Sequence, residues 1–201
     1  MISALALLAF AAFGQAKEAP RLSQVPETGF LFKTLSSNDK DHRYVVYVPR
    51  EYEPGKKWPT IVFLHGAGEC GTDGLRQVSQ GLGTAILANP SRWPFIVVMP
   101  QKPELRQSWG EHADMVLAML DATAAAYSVD RNRVYLTGLS QGGNGTWVIG
   151  AKHPERWAAI APICGYGTPD ELAASLKDMP IWCFHGEADT VVPPARTIAI
   201  V

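Results

Sequence analysis

The sequence predicts a single α/β domain, built as a mostly parallel sheet with helices on both faces. Three observations carry this reading. Apolar runs and breakers alternate from about residue 29 onward. Five runs, Thr60–Leu64, Phe95–Met99, Val134–Leu139, Ala158–Ile163 and Ile181–His185, are short, continuous and apolar, as strands covered on both faces are. Helical stretches stand between them, which is the βαβ alternation of a parallel sheet. The length of 201 residues suits one domain with a substantial core.

Each element has its own local reason. Gly29–Thr34 and Arg43–Val48 read as two further strands ahead of the five. Ala113–Tyr127 repeats apolar residues at Val116, Leu120 and Tyr127, with Met115 and Met119 beside them, and reads as a helix. Gly142–Lys152 is a second helix. Thr168-Pro169-Asp170-Glu171 has the spacing of a capping box with proline at the first helical position, so a third helix starts there. Pro193–Val201 begins as a helix does and ends without a cap.

Composition excludes several classes. The hydrophobic fraction is 47% and the net charge is −1, with no basic block to favour nucleic acid or an anionic membrane surface. Three cysteines, Cys70, Cys164 and Cys183, are too few for a disulfide framework, though one bridge is left open. Residues 1–16 read as a signal peptide. Ala4–Phe13 is an apolar run too short to span a bilayer, and Gly14-Gln15-Ala16 offers small residues for cleavage. No Lys or Arg precedes the run, a departure from the usual pattern. Residues 17–201 are then the domain, secreted or periplasmic, with no stable membrane insertion.

The chemistry concentrates at three strand ends. Val134–Leu139 runs into Gly138-Leu139-Ser140-Gln141-Gly142, followed by a helix. A nucleophile on a sharp strand-to-helix turn crowds the residues two before and two after it, so both are glycine. The turn also sets Ser140 at a helix N-terminus, where developing negative charge is favoured. Thr60–Leu64 ends in His65-Gly66-Ala67-Gly68. Such a loop can give one oxyanion N–H, from Ala67 in preference to Gly66, with Gln141 giving the other. The same loop spells G-x-G-x-x-G, but Thr72-Asp73-Gly74 breaks the helix a dinucleotide site requires, and no acid ends the next strand. Ile181–His185 leads to Glu187 and Asp189; Asp189 is the preferred acid, and no metal site is read from His185, Glu187 and Asp189. His65, Glu69 and Trp109 are candidates for the substrate cleft, though a structural role is the preferred reading of His65 and His185, and Trp109 and Trp147 are compatible with an aryl or sugar ester. All five histidines precede Asp189. The catalytic histidine, with the last strand and helix, is therefore expected beyond Val201, and an Ile181–His185 edge left bare would self-associate.

Together these segments resemble a known group. Tyr44–Pro49, Trp58-Pro59 through His65-Gly66-Ala67-Gly68-Glu69 with Gly71-Thr72-Asp73, Gln107-Ser108-Trp109 and Asp130–Gly145 carry the likeness. His153–Trp157 through Cys164-Gly165, and His185-Gly186 through Val192-Pro193, extend it. The chain resembles α/β-hydrolases of the exported bacterial esterase group related to polyhydroxybutyrate depolymerases, feruloyl esterases and prolyl-oligopeptidase-like hydrolases, over about residues 43–195. Cys70 stands where relatives often have Arg. The resemblance implies a cofactor-free Ser-Asp-His ester hydrolase with Ser140 and Asp189 in their roles, acting on a small-molecule or polymer-linked ester. A serine peptidase of similar fold and a non-catalytic binding module on the same scaffold are the alternatives.

Overall fold

The computed structural model describes residues 26–37 and 40–201. The signal-peptide reading of residues 1–16 lies outside them. Six strands form one sheet: β1 (Gly29–Ser37), β2 (Lys40–Val48), β3 (Trp58–Leu64), β4 (Ile96–Pro100), β5 (Val129–Leu139) and β6 (Ala159–Ile163). Their order across the sheet is β1-β2-β4-β3-β5-β6. The β1–β2 and β2–β4 pairs are antiparallel, whereas β3–β4, β3–β5 and β5–β6 are parallel. The helices are α1 (Leu82–Ala88), α2 (Ala113–Ala126), α3 (Gln141–Lys152), α4 (Pro169–Leu176) and α5 (Ala195–Ile198).

The period-two geometry of strands divides the apolar runs between two cores. Val46, Val62, Leu64, Val98 and Leu136 pack with Val116 and Met119 of α2 and Trp147 and Ile149 of α3. Val45, Ile61, Phe63, Val97 and Met99 turn the other way, onto Leu82 and Ile86 of α1. Helices thus lie on both faces, as the sequence implied. Each such side chain stabilises the fold by about 1.5–3 kcal/mol relative to exposure.

The run at 181–185 departs from the expectation of a regular strand. It meets β6 through isolated parallel bridges at Ile181 and Phe184. Four backbone bonds make the join, from Ile160 N–H to Pro180 O, Trp182 N–H to Ile160 O, Phe184 N–H to Pro162 O and Cys164 N–H to Phe184 O. Its side chains are not covered on both faces: Trp182 is 73% exposed, and its ring stacks on the exposed Phe184 at 4.9 Å. An open apolar groove of about 980 Å³ runs from these two residues past Ile163, Leu139 and Tyr135 to Phe95.

The capping box lies elsewhere than predicted. Thr168 makes no side-chain cap bond at α4. Ser108 and Glu111 form a reciprocal box instead, ahead of α2. No helix of the described residues is long and apolar enough to cross a membrane.

Candidate active site

Ser140 sits between β5 and α3 with φ +56° and ψ −115°. A side-chain-bearing residue holds that conformation only where its surroundings dictate it, and here they do. A Cβ at Gly138 would stand 2.4 Å from the Gly142 carbonyl oxygen, and one at Gly142 only 1.9 Å from the Leu64 carbonyl oxygen. A Cβ at Gly143 would come 2.4 Å from the Ile163 carbonyl oxygen. Glycines around Ser140 therefore let α3 start directly against the ends of β3 and β6. The Ser140 N–H donates to Ile163 O at 3.0 Å, and Asn144 N–H closes the first helical bond on Ser140 O at 2.9 Å. As the first residue of α3, Gln141 has an N–H with no helical acceptor.

The loop after β3 lies alongside. Leu64 pairs with Gly138 in the β3–β5 register, and a Cβ at Gly66 would meet Leu139 Cδ1 at 2.9 Å. Ala67–Glu69 is a single 3-10 turn, so Ala67 also begins a turn with an N–H that the turn leaves free. Both oxyanion candidates thus start turns on adjoining strands.

His65 and Trp109 require a correction. Both are candidates for the cleft by sequence, yet His65 is 0% and Trp109 1% exposed. Trp147, read as compatible with an aryl or sugar ester, is buried as well. Apolar bulk beside a glycine-rich turn is drawn into the core rather than left on its rim. The Lys102 N–H donates to His65 Nε2 at 2.9 Å, so the ring proton is on Nδ1, which donates to Gly66 O at 2.7 Å. Trp109 Nε1–H donates to His65 O at 3.1 Å, and the two rings meet edge-on. Burial, reinforced by the Lys102 charge and opposed by the Gly66 bond, pushes the His65 pKa down to about 4. His65 is a neutral pin for the loop. Glu69 is half-buried, and its carbonyl accepts from Gln101 Nε2 at 3.2 Å.

Asp189 follows the bridged segment. Its Oδ1 accepts from the Val192 and Val191 N–H groups, both at 2.9 Å, and its Oδ2 lies 3.5 Å from His185 Nε2. These two N–H bonds, then His185, hold its carboxyl below the usual carboxylate range against the opposing effect of burial. The Cys164 thiol feels both the Ser140 backbone and the Asp189 charge. Burial pushes its pKa up, the Ser140 backbone opposes this, and the Asp189 charge adds to it. All three cysteines are free.

Sequence reasoning missed a set of anchoring residues. Thr197 donates to Gly165 O at 2.6 Å and meets His185 Nδ1 at 2.7 Å, while His185 Nε2 meets Val192 O at 2.7 Å. Asn144 Nδ2 holds the Tyr166 carbonyl at 2.7 Å. Gln101 and the buried Lys102, at the end of β4, tie down the loops that follow β3 and β4. The only signal available was a polar Gln-Lys pair closing an apolar strand.

The chain is similar to known esterases. Feruloyl esterase B of Neurospora crassa is 33% identical over 141 residues, 64% of this chain and 46% of that protein. Acetylxylan esterase A of Emericella nidulans is 28% identical over 181 residues, 84% of this chain and 50% of that protein. The chain spans about half the length of these curated relatives. The crystal structure of a thermostable esterase superposes with a TM-score of 0.77 at 36% identity, covering 86% of this chain and 50% of that one. The family described as "Putative esterase" matches residues 36–195, and the chain belongs to it.

Proposed function

We propose that the protein hydrolyses carboxylic esters through an acyl-enzyme on Ser140. The observation that carries the reading is the left-handed backbone of Ser140 at the β5–α3 junction. In the proposed reaction the serine hydroxyl adds to the ester carbonyl as its proton passes to a base. The alcohol leaves with that proton, and water then cleaves the acyl-serine. The N–H groups of Ala67 and Gln141 would stabilise the oxyanion, each by about 2.7–4 kcal/mol. Asp189, held ionised by its two N–H bonds, would orient the base.

The base in this proposal is a histidine outside these 201 residues. His65 and His185 have both ring nitrogens engaged. His112 donates to Gln107 Oε1 at 2.9 Å, His42 lies on β2, and His153 follows the end of α3 remote from Ser140. A match to about half the length of the relatives is in keeping with this. The named relatives support an aryl or acetyl acyl group on a small or polymer-linked alcohol, and export rests on the pattern of residues 1–16.

A fluorophosphonate probe tests the assignment. It should modify Ser140 in the full-length protein. Ser140→Ala should abolish labelling and lower aryl-acetate hydrolysis by about 10⁴–10⁶-fold, because triad members act as a unit. Persistent labelling at another serine would overturn it.

A further inference from the structure

Lys102 is 0% exposed, an unusual place for an ammonium group. Its Nζ donates to Glu104 O at 2.5 Å and to Gln107 O at 2.6 Å. Charge-assisted bonds of this kind are stronger than neutral ones, and a buried ammonium without them would cost several kcal/mol. The cation and the turn of chain around it therefore depend on each other. The backbone of Lys102 faces the opposite loop: its N–H donates to His65, and its carbonyl accepts from Gly71 N–H at 3.0 Å. One residue thus joins the loop after β3 to the 104–107 segment.

That segment reaches the residue that follows Ser140. Gln141 Nε2 donates to Leu105 O at 3.1 Å, and Gln141 directly follows Ser140. Leu105 is 54% exposed, an apolar side chain open to solvent on the residue whose carbonyl the Gln141 side chain holds. Nothing in its own hydrogen bonding fixes Leu105 beyond this contact and the two carbonyls clamped on either side of it.

We propose that Lys102 is a positioning residue, whose ammonium clamps Glu104–Gln107 against Gln141 so that Leu105 forms one wall of the acyl-binding site. The inference rests on the hydrolase reading and refines it: Leu105 then selects by apolar contact, favouring an aryl acyl group over acetyl.

The test uses the full-length protein. Lys102→Met keeps the aliphatic stem and removes the donors. The amides of Leu105–Ser108 should then exchange with deuterium at least about tenfold faster, as expected when a local clamp opens. KM for an aryl-acyl ester should rise about fivefold or more with kcat changed much less, the pattern of lost substrate binding. Unchanged exchange, or a fall in kcat alone, overturns the clamp. Leu105→Ala alters only an exposed side chain, so folding does not limit it. It should lower kcat/KM for the aryl-acyl ester relative to the acetyl ester by about tenfold, the usual scale for one apolar contact. An unchanged ratio overturns the wall. If Ser140 of the unmodified protein resists the fluorophosphonate, the hydrolase reading falls, whereas the exchange comparison still decides the clamp.

Discussion

The two halves of the site are built differently. Around Ser140, backbone packs on backbone: Gly138, Gly142 and Gly143 face carbonyl groups with no room for a side chain. Around Asp189, the chain is tied by side chains and a few ladder bonds, at the border of an open apolar groove. Ser140 is thus fixed by sterics, which have no soft alternative. Asp189 is fixed by hydrogen bonds, which can be remade. Substitution of distant residues is therefore expected to disturb the geometry at Asp189 before that at Ser140.

The largest expected effect breaks the steric half. Gly142→Ala puts a methyl 1.9 Å from the Leu64 carbonyl oxygen, which neither strand nor helix can yield. A loss of about 4 kcal/mol or more is expected in denaturant unfolding, the range of severe backbone or core disruption. A variant of ordinary stability would show that the elbow is softer than its contacts imply.

The next effect separates the halves by pH. The folded pKa of His65, about 4, lies below its ordinary 6.5, so folding favours the neutral ring. This contribution is fully present above pH 6.5 and is lost as pH falls towards 4. Its size is about 3 kcal/mol, from 1.36 kcal/mol per unit. The Asp189 carboxyl is also depressed, so its contribution is present above about pH 3.9 and is lost only below it. Unfolding free energy measured from pH 7 to 4 should fall in the parent and flatten in His65→Asn. An unchanged slope in that variant would point to another buried base.

The smallest effect probes the acid side. Gly186 has no positive φ and nothing within 4 Å of a built Cβ. Gly186→Ala should change stability by less than about 0.5 kcal/mol. A penalty near that of Gly142→Ala would erase the distinction between the two halves.

Legibility in the sequence follows the same division. The elbow could be read because steric crowding forces glycines at fixed offsets from Ser140, and the buried strands because both their faces are apolar. The anchors could not. Gln101, Thr197 and the Lys102 backbone act across tens of residues, and even for the nearby partners of the Lys102 ammonium nothing in local sequence reports where a carbonyl will lie after folding. Trp109 misled for a related reason: its position beside a motif was legible, but not the direction in which its side chain packs, whereas the structural reading preferred for His65 agrees with its burial. Thr168 had the spacing of a cap without its bond, whereas Ser108 and Glu111, equally well spaced, formed one.

The register Leu64↔Gly138 joins residues more than seventy positions apart, and this sets when the turn at Ser140 takes shape during folding. Closing so long a loop is slow, and nothing within α3 alone would hold Ser140 at φ +56°. Until β5 has zipped between β3 and β6, the serine is free to relax into an ordinary helical start. The strained turn therefore emerges with these long-range contacts, and if Ser140 is the nucleophile proposed, its modification rate should follow sheet assembly rather than helix formation.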